Sequence, residues 1–182
     1  MNAWGAVSYT WSNNVVNGVP FTINSTQTFT VIGSNYGCND TAQVTVTVNA
    51  LPAVSAGANQ STCSGASVTL SGSGAVSYTW NNNVQNGVAF IPNATATYTV
   101  TGTNANGCTN TAQTTVTVNA LPTVNAGANQ TVCAGSTATL NGSGAVSYAW
   151  NNNVIDGVPF APSSTATYTV TGTGVNGCEN SD

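Results

Sequence analysis

The chain has no lysine, no arginine and no histidine, and its only charged side chains are Asp40, Asp156, Glu179 and Asp182. Charged residues make up 2% of the sequence and the formal net charge is -4, against about 25% charged residues in ordinary globular proteins. Each absence excludes a chemistry. Nucleic-acid backbones and anionic membrane surfaces are held by clustered Lys and Arg, so neither is a partner here. Without His the commonest general acid and base is missing, and neither a lysine Schiff base nor a Ser-His-Asp triad can be assembled. The four carboxylates lie far apart and never pair as D-x-D, so no calcium loop is formed. An enzyme is not expected, nor a cofactor. The longest apolar runs are a few residues, far short of the roughly 20 that span a bilayer. No basic-then-apolar leader opens the chain, although an exported fragment whose address lies elsewhere reads the same way.

What is present argues for order. Hydrophobic residues reach 41%, with 4 Trp, 6 Tyr and 4 Phe among abundant Ser, Thr, Asn and Gly, which is enough apolar surface to bury a core. The dominant feature is an internal repeat. Gly74-Ala75-Val76-Ser77-Tyr78-Thr79-Trp80 returns with one change at residues 144–150, 70 positions on, and stands unchanged at residues 5–11, 69 positions earlier. Val48-Asn49-Ala50-Leu51-Pro52 likewise returns at residues 118–122. The one-residue difference falls in the loop of residues 33–38, compared with residues 102–108. Boundaries are placed at the Asn-Ala-Leu-Pro segments, where proline resists regular pairing. Residues 1–50 are then a partial repeat lacking its front strands, residues 51–120 a complete one, and residues 121–182 a partial one lacking its last strand. Residues 1–4 match no other copy; Trp4 stands where the others have Ser73 and Ser143, so this tail reads as a junction or an added segment.

Within the complete repeat nearly every segment alternates with period 2, using residues suited to a pleated, half-buried surface. The expected inward faces are Val68 and Leu70; Val76, Tyr78 and Trp80; Tyr98 and Val100; and Val116 and Val118, with Thr115 and Thr117 facing water. Gly72-Ser73-Gly74, Asn81-Asn82-Asn83, Asn86-Gly87 and Asn106-Gly107 separate them as turns, where Gly and Asn tolerate positive φ. Short strands with turns every 8 to 12 residues indicate antiparallel β-sandwiches, and about 70 residues suffice for six or seven strands. The fold class is therefore all-β: tandem Ig-like sandwiches of about 70 residues each. Trp11, Trp80 and Trp150 are the expected core anchors, with Tyr98, Tyr168 and Phe29 packing beneath them from a later strand.

The string Ala126-Gly127-Ala128-Asn129-Gln130-Thr131-Val132-Cys133-Ala134-Gly135-Ser136, followed by Tyr148-Ala149-Trp150, Ala166-Thr167-Tyr168-Thr169-Val170-Thr171-Gly172 and Asn176-Gly177-Cys178, resembles the Ig-like and PKD-like repeats of very large exported surface proteins. Above all it resembles the gliding-motility-associated adhesins of Bacteroidota, which a type IX system exports. The likeness covers the chain after Trp4 and implies a secreted, cell-surface location. Where the PKD signature has acidic turns around its Trp strand this chain has Asn81-Asn82-Asn83, so no cation site is carried over.

Cys38, Cys63, Cys108, Cys133 and Cys178 recur at spacings of 25, 45, 25 and 45. Two per repeat in a chain poor in reactive groups reads as a disulfide framework in an oxidising compartment. The default pairs within a repeat, Cys63 with Cys108 and Cys133 with Cys178, leaving Cys38 to a partner upstream. Ig topology puts those two positions at opposite ends of a sandwich, whereas a bridge needs Cα atoms within about 7 Å. The alternative joins Cys63 of one repeat to Cys178 of the next. Free or metal-bound thiols are a third arrangement, and zinc is disfavoured because no C-x-x-C pair and no His exists.

The remaining candidates are modest. Thr-rich strands read as solvent-facing sheet surface rather than an ice-binding face. Six N-x-[ST] sites, at Asn24, Asn39, Asn59, Asn93, Asn129 and Asn141, follow from composition. Asp40-Thr41-Ala42 resembles the short O-glycosylation motif of Bacteroidota, making Thr41 a candidate acceptor. Asp156 and Glu179 replace Asn86 and Thr109 of the preceding repeat and read as drift on solvated turns. The functional expectation is a stiff spacer rod in a bacterial surface adhesin or filament, each repeat touching its neighbours. Neighbouring repeats of the same chain are its partners, with other copies in a filament or bundle, and surface glycans, as further ones. The alternative is an adhesion module that binds a glycan or a host surface.

Overall fold

The computed structural model describes residues Met1–Asp182. Every regular element is a strand apart from single turns of 3-10 type, and the chain groups into two compact units, Met1–Pro52 with Thr103–Asn110 and Ala53–Gly102 with Thr111–Asp182.

Most of the complete repeat lies in the second unit, while its residues 51–52 and 103–110 group with the first. Its strands are β4 (Gln60–Cys63), β5 (Val68–Thr69), β6 (Ser77–Trp80), β7 (Ala89–Phe90), β8 (Ala96–Thr103) and β9 (Thr109–Asn119). They form a four-stranded sheet in the order β4-β9-β8-β6 and a separate β5-β7 pair. Period-2 alternation drives this arrangement: along β8, Tyr98, Val100 and Gly102 turn inward and Thr97, Thr99 and Thr101 turn outward. Ala56, Val68, Leu70, Trp80, Tyr98, Val100 and Val116 make one buried cluster, with Phe90 packed edge-on to Tyr98 at 5.3 Å between ring centroids. The two layers meet through this sandwich-like core, and each large side chain in it contributes about 1.5–3 kcal/mol. The front strand β4 adds to the outer edge of β9 in parallel register, Gln60 opposite Val116 and Cys63 opposite Asn119.

One inward residue expected from parity is not inward. Val76 is 72% exposed, and its counterpart Val146 is 67% exposed. The strand begins only at Ser77, so Val76 lies in the bend before it and escapes the alternation. The space over Gly102 is taken by Val54 and Ala75 instead, and a Cβ at Gly102 would meet them at 2.6 and 2.8 Å. Tyr78 is fixed beside this bend, because its hydroxyl accepts the Ala75 N–H and donates to the Ala75 carbonyl, both at 2.7 Å. Along β9 the buried side chains are Thr114 and Val116, with Val118 half-buried; the Thr114 hydroxyl donates to the Ala58 carbonyl at 2.9 Å.

The third repeat lies in the same unit, with β10 (Ser147–Trp150), β11 (Val170–Thr173) and β12 (Glu179–Ser181) in a three-stranded antiparallel sheet and isolated bridges pairing Asn125 with Ser143 and Ala138 with Phe160. The first repeat, in the other unit, forms a three-stranded antiparallel sheet from β1 (Ser8–Trp11), β2 (Gln27–Asn35) and β3 (Cys38–Val46). The loop that is one residue short becomes a two-residue hairpin turn, with Tyr36 and Gly37 at φ 47 and 87, the double positive φ that matches strand twist. The outer edge of β3 pairs with no strand. Val44 on β3 is 41% exposed, whereas Thr114, its counterpart on β9, is buried.

Candidate functional site

Each repeat is locked by the same clasp. After its Trp strand the chain turns through two left-handed Asn residues, Asn13 and Asn14, Asn82 and Asn83, or Asn152 and Asn153, with φ between 54 and 58. The turn brings an Asx side chain back over the indole. Trp80 Nε1 donates to Asn86 Oδ1 at 3.0 Å, and the same oxygen accepts the Gly72 N–H at 2.7 Å. In the first repeat Asn17 Oδ1 takes Trp11 Nε1 at 3.1 Å and the Ala3 N–H at 2.8 Å. In the third, Asp156 Oδ1 takes Trp150 Nε1 at 2.8 Å and the Gly142 N–H at 2.6 Å. All three indoles are buried.

Asp156 is therefore not drift on a solvated turn, because it supplies the acceptor that Asn supplies in its siblings. The signal was in the sequence as an Asx six residues after every repeat tryptophan, and period-2 reading has no place for it. Asn86→Ala is expected to cost about 2–3 kcal/mol, since two donors, one on a buried indole, lose their acceptor. Asp156→Asn keeps the acceptor and is expected to change stability by less than about 0.5 kcal/mol. Chemical denaturation followed by circular dichroism measures both.

The cysteines form one bond. Cys63 is linked to Cys178 with Cα atoms 5.6 Å apart, while Cys38, Cys108 and Cys133 are thiols. The bond joins the front of the second repeat to the back loop of the third, so the within-repeat default is not formed. The backbone explains the choice. Cys63 stands opposite Asn119 at the end of the β4–β9 pairing, and Ser64 donates its N–H to the Asn119 carbonyl at 2.8 Å. The loop carrying Cys178 is tied to the same linker, because Asn180 Nδ2 donates to the Pro122 carbonyl at 3.0 Å. Both sulfurs thus meet at the Asn-Ala-Leu-Pro segment. Cys178 is buried, and Cys133 is exposed.

The same tie occurs in the first unit. Asn110 Nδ2 donates to the Pro52 carbonyl at 3.0 Å, Asn104 Nδ2 donates to the Ala50 carbonyl at 2.9 Å, and Cys108 Sγ lies 3.9 Å from the Asn49 carbonyl. A groove of about 670 Å³ opens along this unit's sheet, lined among others by Tyr9, Trp11, Val31, Cys38 and Val44. Val31 is half-exposed in it, whereas its counterpart Val100 is fully buried in the core of the complete repeat.

The other candidates are scattered. Thr41 is exposed on β3, its N–H taken by Asp40 Oδ1 at 2.8 Å. Glu179 is exposed on β12, and Asp182 Oδ2 accepts the Ala126 N–H at 2.8 Å. No three Cys, Asp or Glu side chains come together. No helix is long and apolar enough to cross a membrane. The disulfide fits an oxidising, extracellular setting. Together these features define a class: an all-β repeat protein whose second and third repeats are joined by a disulfide at the linker. No protein-family model matches the chain, and no curated protein matches it.

Proposed function

We propose that this chain is a structural segment of an extracellular bacterial surface protein, an adhesin or filament, in which tandem Ig-like sandwiches of about 70 residues act as a stiff spacer. The observation that carries this reading is the Cys63–Cys178 bond, which spans a repeat boundary instead of closing a repeat on itself. A bond inside a repeat stabilises that repeat alone; a bond across the linker removes freedom between neighbours, which is what a spacer under load requires. The reuse of one Trp–Asx clasp in all three repeats also supports it, because length is then added without redesign. The lack of Lys and Arg leaves no trypsin site, which suits life outside a cell.

Cryo-electron microscopy of the native assembly under non-reducing conditions is the test. The expected result is a continuous rod with a disulfide at each joint. Freely jointed repeats that bind members of a glycan array would overturn the spacer role in favour of an adhesion module.

A further inference from the structure

We infer that the Cys63–Cys178 bond is a tension bypass: a pull along the chain crosses the second and third repeats through the two sulfurs, while residues 64–177 form a closed loop that stays folded under load and lengthens only when a thiol reductant opens the bond.

Tension follows the shortest covalent path between its two points of attachment. Cys63 and Cys178 are 115 positions apart along the backbone, yet they are joined through their sulfurs with Cα atoms 5.6 Å apart. For any pull applied upstream of Cys63 and downstream of Cys178, the path leaves the backbone at the first cysteine and rejoins it at the second. Unfolding of the residues between them adds nothing to the distance between the points of attachment. Force does no work on that unfolding and does not speed it.

The loop encloses what holds both repeats together. Leu70, Trp80, Val100 and Val116 of the second repeat and Trp150 and Val170 of the third, all buried, fall between the two cysteines. So do the clasps that Asn86 and Asp156 make with their indoles. The tensioned segments outside the loop are strapped to it. Upstream, Ala56 is buried in the core, the Thr114 hydroxyl donates to the Ala58 carbonyl at 2.9 Å, Asn59 Oδ1 accepts the Thr115 N–H at 2.9 Å, and β4 pairs with β9 as far as Cys63. Downstream, Asp182 and Val170 each donate an N–H to the other's carbonyl at 3.0 Å. Peeling runs inward along these straps from either side and stops at the sulfurs.

Reduction moves the load onto the backbone. Cys178 is 1% exposed and Cys63 is half-buried, so a dithiol reductant attacks the Cys63 sulfur. Its thiolate forms a mixed disulfide there and Cys178 leaves as a thiolate; the second thiol of the reductant then closes the reductant's own ring and Cys63 leaves in turn. One dithiol is oxidised to a cyclic disulfide and the protein disulfide is reduced to two thiols. The 115 positions then between the cysteines, at up to about 3.6 Å each, are a length reserve on the order of 400 Å. As a function the bypass rests on the spacer reading, because only a chain under load uses it. The stretching measurement does not, so freely jointed repeats with an intact bypass would overturn the spacer reading alone.

The test is single-molecule stretching of the 182-residue chain, held by its two termini, with and without dithiothreitol. Fully stretched, the oxidised chain is expected to reach about 240 Å and the reduced chain about 650 Å. Cys63→Ser reaches the longer value in either buffer. A variant with Cys38, Cys108 and Cys133 all replaced by Ser, which can form no other bond, behaves as the parent does. When dithiothreitol is added to the oxidised chain held at a force where the reduced chain unfolds slowly, lengthening follows bond opening only after a delay, because the enclosed cores are still folded. Immediate release of the whole reserve overturns the inference. So does an oxidised chain that reaches about 650 Å, or one that stops near 330 Å, the length left by two loops of 45 positions closed within the repeats.

Discussion

Replacing Gly74 by alanine is expected to cost about 4 kcal/mol or more, placing it among the exceptional single substitutions. Two effects combine there. Gly74 has φ +87, a conformation that costs an L-residue about 1–3 kcal/mol. A Cβ would also stand 1.9 Å from the Ala53 carbonyl oxygen and 2.7 Å from its carbon, which is backbone and cannot rotate away. Relief would require the two segments to part, yet they are bridged beside this point by the Ser55 and Ser73 N–H groups, each donating to the other's carbonyl at 2.9 and 3.0 Å. Gly144 repeats the arrangement, with its Cβ position 1.8 Å from the Thr123 carbonyl oxygen. Gly127→Ala is the control: its φ is +84 and no atom lies within 4 Å of the added carbon, so only the conformational cost of about 1–2 kcal/mol applies. Guanidinium titrations of the two variants measure the difference. Equal losses would mean that the close approach at Gly74 is not real.

Reduction of the Cys63–Cys178 bond is the second large effect. The two residues are 115 positions apart, and cross-linking a loop of that size constrains the unfolded chain by about 4–5 kcal/mol in the chain-entropy model. A reductant is expected to lower the denaturation midpoint of the parent chain and to leave Cys63→Ser unmoved. Cys133→Ser is expected to respond to reductant as the parent does. That arm separates the two frameworks, because pairing within repeats would make Cys133 a bonded residue.

The sheets were legible in the sequence because one physical rule governs them. Alternation along β8 and β9 places Tyr98, Val100 and Val116 in the core, and the same parity marks Trp80. It fails at Val76, where the strand has not yet begun and a turn decides which way the side chain points. Turn chemistry was legible at the Asn-Asn pairs and at Gly87 and Gly107, which take the positive φ that their types tolerate. The clasp was not, although its spacing from each tryptophan is constant, because a polar side chain reaching back across a turn leaves no mark in hydrophobic periodicity. Asp156 illustrates this: as one acid among neutral siblings it looks like an accident, and its oxygen does what the Asn oxygens do. The disulfide was open for a related reason. Spacings of 25 and 45 fit a bond inside a repeat or across two, and only the course of the linker, which brings Asn119 to Cys63 and Pro122 to the loop of Cys178, selects between them.

The inter-repeat joint is tested most directly by mapping the bonds in the monomeric fraction of the oxidised chain. Trypsin has nothing to cut, so the digest uses pepsin at low pH, where thiol exchange is slow, with free thiols alkylated beforehand. A peptide linking Cys63 to Cys178, with alkylated Cys38, Cys108 and Cys133, is the expected result. Peptides linking Cys63 to Cys108 and Cys133 to Cys178 would contradict the joint and return each bond to a single repeat.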